Sequence, residues 1–284
     1  MLKLFTFLRH NAKQSKQRMC MGYNKTMLLE QVIQEYLRLK EPIGSEMLKN
    51  TLSLKISSAT IRNYFKLLME EGILVQPHIS GGRIPTHFAM KNYWRQRIDF
   101  KSQILVIHDD DETIMQICKQ HEVFLLFKKK ISQKLTEIQN VQDRYLILIF
   151  EKGEILLPYN SRLERFLSEL IGLDIDEIKN IAYQVMAHGA LKKMNHLQNE
   201  ELRYFGLENI DFLIQSPHYH ELFFEILEGR IFDKVQSSIL FDPIFPEGYM
   251  GILQNVIQNR QEYKMLCIGT LMVDYQNFYE QIAA

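Results

Sequence analysis

Apolar residues recur at helical spacing from Lys25 to Leu39. Leu28, Leu29, Val32, Ile33, Tyr36 and Leu37 fall on one face, the pattern of an amphipathic helix packed on a core. Lys40-Glu41-Pro42 closes that helix, because proline disfavours helical backbone at the residue before it. Ile43-Gly44 turns the chain, and Ser45 is placed to cap a short second helix over residues 45 to 50. Leu48, Leu52 and Leu54 would fill the space between helices. A third helix opens at Ser57 or Ser58, and Ile61, Phe65 and Leu68, spaced by four and three, face inward. Gly72 follows as a left-handed stop. Ile73-Leu74-Val75 then reads as a strand, residues 76 to 83 turn back, and Ile84-Pro85-Thr86 leaves.

Beyond this unit the pattern alternates. Residues 91 to 103 predict a helix joining two halves, with Tyr93, Trp94 and Ile98 available to pack on either. Strand patterns cover 104 to 108, 123 to 127 and 145 to 150. A turn at 151 to 154 leads into a further strand at 155 to 157, and a late strand falls at 265 to 268. Helical patterns cover 114 to 120, 162 to 170 and 175 to 192. Such alternation predicts an α+β fold with a helical insertion at 158 to 240.

The outward side of the third helix carries Ser58, Thr60, Arg62, Asn63 and Lys66. Each can hydrogen-bond to DNA. Arginine pairs with guanine O6 and N7, and asparagine with adenine N6 and N7, in the major groove. Ser57 and Ser58 at the helix N-terminus suit a phosphate. Ser45 on the preceding helix belongs to the same candidate surface. The segment Gln76-Pro77-His78-Ile79-Ser80-Gly81-Gly82-Arg83 predicts a hairpin wing. His78, Ser80, Gly81 and Gly82 would lie at its tip with Arg83, which would reach the sugar-phosphate backbone or a minor groove. The paired glycines permit a positive φ or a close approach to phosphate. Helix, glycine stop, strand and arginine-bearing loop are the order of a winged helix-turn-helix.

Charge sharpens this. The 284-residue chain has 34 Lys and Arg against 34 Asp and Glu. Residues 1 to 100 hold 16 basic and 7 acidic side chains, and residues 101 to 284 hold 18 and 27. The front half is therefore net +9 and the rear half net −9. A basic front is the footprint of a polyanionic partner, and the acidic rear suits a dimer contact or a regulator. Residues 1 to 24 form a basic extension with no acid before Glu30. Three readings stand for it: a frayed tail, an arm on DNA phosphates, or an amphipathic segment making weak contact with an anionic membrane surface.

Other candidates are discounted. Cys20, Cys118 and Cys267 are far apart and form no C-x-x-C pair, so neither disulfide nor zinc site is expected and a reducing cytoplasm fits. Asp109-Asp110-Asp111-Glu112 lacks the EF-hand spacing and reads as a loop with a helix cap at Asp111. Lys128-Lys129-Lys130 reads as a solvated turn. His218 and His220 lack partners for a metal. No Ser-His-Asp order, HExxH motif or P-loop is legible. No catalytic residue, metal or cofactor is assigned.

E-P-I-G-S (41–45), L-K-I-S-S-A-T-I-R-N (54–63), E-E-G-I-L (70–74) and Q-P-H-I-S-G-G-R-I-P-T (76–86) resemble the heat-inducible transcription repressor HrcA family. Its wing motif usually reads P-H-T-S-A-G-R-I-P-T, with Thr and Ala where this chain has Ile79 and Gly81. Y-F-G-L-E-N-I-D-F-L (204–213) and C-I-G-T-L-M-V-D-Y (267–275) are similar to later family segments. In the second, Thr270 stands where proline is usual and Leu271 where arginine is. The resemblance implies a homodimeric cytoplasmic repressor of chaperone operons. Its partners would be double-stranded operator DNA, an inverted repeat called CIRCE, and the GroE chaperonin, which modulates its activity. It implies a winged helix over 25 to 95, a GAF-like domain over 96 to 157 and 241 to 284, and an inserted dimerisation domain over 158 to 240. The residues also admit a ligand-sensing winged-helix repressor of the GntR kind, or an RNA-binding platform. An enzyme is the least supported class.

Overall fold

The first apolar stripe forms the helix its spacing predicts, α1 (Lys25–Leu39), with Leu28, Val32, Ile33 and Leu37 buried. In this computed structural model residues 25–52, 56–78, 81–98, 104–130, 132–184, 194, 202–235 and 238–284 are described. The expectations for Leu54, for residues 1 to 24 and for the helix ends beyond 98 and 184 lie outside them. Two short helices follow, α2 (Ser45–Thr51) and α3 (Ser58–Glu70). Ile61, Phe65 and Leu68 of α3 are buried with Ile43, Leu48, Leu52 and Leu74 in one cluster. Burying each large side chain stabilises by about 1.5–3 kcal/mol. Gly72, at φ 68, ends α3, with Ile73 N–H donating to the Leu68 carbonyl at 2.9 Å. A two-stranded antiparallel ribbon, β1 (Leu74–Val75) and β2 (Ile84–Pro85), comes next.

The helix expected over 91 to 103 starts earlier, as α4 (His87–Arg97). Thr86 is its cap and accepts from Ala89 N–H at 3.3 Å. Its own hydroxyl donates to the Gly72 carbonyl at 2.9 Å, so one threonine both ends the ribbon and starts the helix.

The chain divides into two bodies. The first holds the segments up to Ile104, Phe241–Met250 and Thr270–Glu280; the second holds Leu105–Leu240, Gly251–Gly269 and Gln281–Ala284. Two late segments thus belong to the first body. There Trp94 of α4 is buried, donates Nε1–H to the Leu271 carbonyl at 2.9 Å, and meets the Tyr275 ring edge-on at 5.1 Å. The segment 267–275 therefore includes a packing clasp. Leu271, in the family's arginine position, is fully buried.

The second body is mixed α+β. Its main sheet runs β3-β10-β11-β4-β8, with β9 also on β10. The strands are β3 (Leu105–Val106), β4 (Phe124–Lys129), β8 (Leu202–Phe205), β9 (Ser238–Leu240), β10 (Tyr249–Gln258) and β11 (Gln261–Thr270). Helix α5 (Asp111–His121) precedes β4. Its cap is Asp110, one residue before the expected Asp111, accepting from Glu112 and Thr113 N–H at 3.3 and 2.9 Å. Asp111 instead pairs with Arg203 at 2.6 Å. A separate three-stranded sheet, β5 (Leu135–Val141), β6 (Tyr145–Phe150) and β7 (Gly153–Pro158), packs with α6 (Ser161–Ser168) and α7 (Ile175–Gln184) around their own core. Short helical segments follow β8: α8 (Phe212–Gln215), α9 (His220–Leu227) and α10 (Ile231–Lys234). Residues 135 to 158 leave the main sheet, and 202 to 205 are already back in it, paired with β4. The late helix α11 (Tyr275–Ile282) closes the chain.

The segment 204–213 also has a packing role. Gly206 sits at φ 68, and a side chain there would come within 2.3 Å of the Val123 carbonyl oxygen. Asn209 donates to that same oxygen at 3.1 Å.

Lys128-Lys129-Lys130 is not a solvated turn. Lys128 and Lys129 lie in β4, and Lys128 is buried. Its Nζ lies 3.5 Å from Asp233 of α10, and buried Lys179 of α7 lies 3.9 Å from the same carboxylate oxygen. Lys264 pairs with Asp176 at 2.9 Å. Burial works against the Asp176 carboxylate, but Lys264, Lys179 and Lys128 outweigh it and hold its pKa below the usual carboxylate range. A lowered folded pKa contributes stability that is complete above the unfolded value and is lost as pH falls through the folded one. Acid unfolding of the full chain is therefore expected to steepen below about pH 4. Asp176→Asn should flatten that limb; an unchanged acid limb would refute the assignment.

Cys118 and Cys267 are free and buried, and burial pushes the Cys118 thiol up to about 12. Both are inert packing residues rather than nucleophiles.

Candidate nucleic-acid interface

The outer face of α3 is built from its N-terminus upward. Ser57 holds the cap position with extended backbone, and its Oγ accepts from Thr60 N–H at 3.1 Å and lies 2.9 Å from Thr60 Oγ1. A cap of this kind stabilises a helix by about 1 kcal/mol. Ser57 thus serves the helix first. Thr60, Arg62, Asn63 and Lys66 are exposed on the outer side, and Ser58 is half-buried. No acid interrupts that face until Glu70, whose carboxylate lies 3.9 Å from Lys66 Nζ. An exposed pair of this kind contributes little, so Lys66 can exchange it for phosphate.

Ser45 does not cap α2. Gly44 holds the cap position, with no side-chain bond, and Ser45 is the first helical residue. The change frees its hydroxyl: Ser45 Oγ accepts from Arg62 Nε–H at 3.2 Å. Beside it stands Glu46, to which the sequence reading assigns no part. The Ser58 hydroxyl holds its carboxyl below the usual range; slight burial opposes this, and Lys49 and Arg62 add to the lowering. Lys49 Nζ lies 3.7 Å away. An acid in the first turn of a helix is ordinary dipole compensation, which hid it in the sequence.

The ribbon differs from the expected wing at its arginine. Arg83 is not at the tip. Its backbone pairs with Ile43 through two 2.9 Å hydrogen bonds immediately before β2, which ties it to the body of the ribbon rather than to the turn. Its guanidinium turns inward over the Phe65 ring at 5.6 Å, and Nη1 donates to the Gly81 carbonyl at 3.3 Å. The cation–π contact and the half-buried setting account for that orientation. Gly81 N–H donates to the His78 carbonyl at 2.9 Å, which closes the turn, and His78 is exposed. Ser80 lies outside the described residues. Neither Gly81 nor Gly82 takes a positive φ. Gly82 makes the close approach, but to its own chain: a side chain there would meet the Pro42 carbonyl carbon and oxygen at 2.5 Å.

The structure therefore brings Ser45, Ser58 and Arg62 together around Glu46, sets Thr60, Asn63 and Lys66 on the same side of α3, and turns Arg83 inward. Among the described residues no three His, Cys, Asp or Glu side chains converge as a metal site.

Comparison with known proteins bears on the whole chain. A family profile described as the HrcA C-terminal domain matches residues 94–284. The heat-inducible transcription repressor HrcA of Helicobacter pylori strain 26695 is 33% identical over 261 residues, covering 91% of this chain and 94% of its own. That of Tetragenococcus halophilus is 30% identical over 264 residues, covering 84% and 71%. A solved chain described as a hypothetical protein aligns over 90% of this chain and 94% of its own, at 20% identity and a TM-score of 0.47.

Proposed function

The chain belongs to the HrcA family of heat-inducible transcription repressors, and on that premise we propose that it silences chaperone operons by binding an inverted-repeat, CIRCE-type operator as a homodimer. It is a cytoplasmic DNA-binding regulator and not an enzyme. The observation that carries the reading is the outer face of α3, where Thr60, Arg62, Asn63 and Lys66 are all exposed beyond a capped N-terminus.

Under this reading α2 and α3 are a helix-turn-helix, and the ribbon β1–β2, extended by the Ile43–Arg83 pairing, is its wing. Arg62 meets guanine and Asn63 meets adenine in the major groove. Thr60 and Lys66 take phosphates, and His78 extends the wing turn toward the neighbouring backbone. Arg83 is assigned to holding the wing on Phe65 rather than to DNA. A twofold axis would set two such helices in successive major grooves, roughly 34 Å apart or at a multiple of it. The main sheet of the second body is read as GAF-like. The β5–β7 sheet with α6 and α7 is read as the inserted dimerisation domain, beginning near residue 132 rather than 158.

Arg62→Ala is expected to cost about 1–3 kcal/mol of operator affinity and to relax base preference, whereas Lys66→Ala should weaken all duplexes alike and reduce the salt slope by about one. Titrations on the operator and a scrambled duplex at several salt concentrations measure both. Undiminished discrimination by the Arg62 variant would sink the reading.

GroE availability is proposed to set the active fraction. Refolding with the chaperonin should raise the yield of operator-binding protein, and equal yield without it would remove that part. A weak contact of residues 1 to 24 with anionic lipid is a separate proposal. It fails if deleting residues 2 to 20 leaves liposome co-sedimentation unchanged.

A further inference from the structure

The contacts around Arg62 divide its donors. An arginine can present guanine with either of two pairs: the two terminal amino groups, or one of them together with Nε–H. Here Nε–H is taken by Ser45 Oγ at 3.2 Å, across 17 residues of sequence. Among the described residues the terminal amino groups hold no hydrogen bond. Ser45 is able to do this because Gly44, not Ser45, occupies the cap of α2. Glu46 stands next to it, bonded to the Ser58 hydroxyl at the start of α3, with Lys49 Nζ at 3.7 Å and the Arg62 charge nearby. Glu46 and its neighbours link the N-termini of α2 and α3 through side chains.

We propose that Ser45 and Glu46 are positioning residues for base reading. Ser45 fixes the guanidinium so that its terminal pair faces the groove, and the Glu46 carboxylate on the next residue opposes non-specific attraction to phosphate. The inference rests on the proposed role of α3. It adds that Ser45 contributes to discrimination without touching DNA. A guanidinium held in advance loses less rotamer freedom on binding. A carboxylate at the rim of a basic surface penalises every backbone contact not repaid by base pairing. Glu46 stays ionised through the neutral range, since its carboxyl titrates below the ordinary value.

The test compares the full chain with Ser45→Ala, Ser45→Thr, Glu46→Gln and Arg62→Ala. Each is titrated on the operator duplex and on a scrambled duplex of equal length over a salt series. Thermal unfolding of each variant reports its fold. Ser45→Ala should lower the operator-to-scrambled affinity ratio about threefold to tenfold, the effect of one hydrogen bond. Its scrambled-duplex affinity and salt slope should not change, and Ser45→Thr should restore the ratio. Glu46→Gln should tighten the scrambled duplex and steepen its salt slope, which a merely structural residue would not do. An unchanged ratio for Ser45→Ala with a reduced ratio for Arg62→Ala overturns the inference and leaves the operator reading standing. Unchanged ratios for both overturn the operator reading itself. Equal weakening of both duplexes by Ser45→Ala makes Ser45 a phosphate contact or a fold residue, and the inference fails.

Discussion

Asp233→Ala is expected to destabilise the full chain by about 3–5 kcal/mol, the cost of removing one partner from a buried ion pair. The carboxylate faces two lysines whose exposure is only 3% for Lys128 and 1% for Lys179. At separations near 4 Å, each attraction is worth about 4 kcal/mol at an effective dielectric of 20. Without Asp233, both ammonium groups keep their desolvation penalty and lose a counter-charge within 4 Å; the Asp176 charge offsets part of it. The pairing also joins elements: Lys128 lies in the main sheet, Lys179 on α7 beside the three-stranded sheet, and Asp233 on α10. Loss of this contact should loosen the three-stranded body from the main sheet. The measurement is denaturant unfolding of the wild type, Asp233→Ala and Lys128→Met/Lys179→Met/Asp233→Leu. The triple variant should recover much of the loss, because an apolar cluster of similar volume carries no desolvation penalty. A single variant within 1 kcal/mol of the wild type would show that the lysines are satisfied without Asp233.

That cluster was illegible in the sequence for a physical reason. Three consecutive lysines look solvated, and the acid that buries the first lies 105 residues away. Only a closed sheet brings them together. The α helices were legible because their signal is local. The stripes of α1 and α3 repeat within one element, and Ser57 and Gly72 mark the ends of α3. The strands β5 and β10 were missed for a different reason. The hairpins they open turn through Gln142-Asp143, at φ 53 and 52, and Asn259-Arg260, at φ 50 and 62. Hairpin turns with positive φ usually advertise themselves by glycine, and neither pair contains one. In the candidate site, the exposed residues of α3 were legible from periodicity. The partners of Arg62 and the inward turn of Arg83 were not, since each depends on where α2 and Ile43 come to rest.

Gly82→Ala should cripple operator binding without altering any residue proposed to touch a base. The added carbon would lie 2.5 Å from the Pro42 carbonyl carbon and oxygen and 2.6 Å from the Ile43 carbonyl carbon. These are backbone atoms, so no side-chain rotation relieves the clash. Either the ribbon or the 42–43 segment must move. The next residue, Arg83, exchanges two 2.9 Å backbone hydrogen bonds with Ile43, and displacement breaks that exchange. Overpacking costs about 1–3 kcal/mol and each of the two lost bonds about 1, so a loss of about 3–5 kcal/mol is expected. The strain has a second consequence, because Ile43 is fully buried in the cluster that holds Phe65 of α3. A shift of Ile43 tilts the helix that presents Arg62 and Asn63, and Arg83 loses its place over the Phe65 ring. Thermal unfolding and operator titration on the same preparation separate these effects. Weakened operator binding with a lowered unfolding midpoint is the expected result. An alanine variant that binds and melts like the wild type would mean that the 42–43 segment yields freely, and the ribbon would then not be what holds α3 in register.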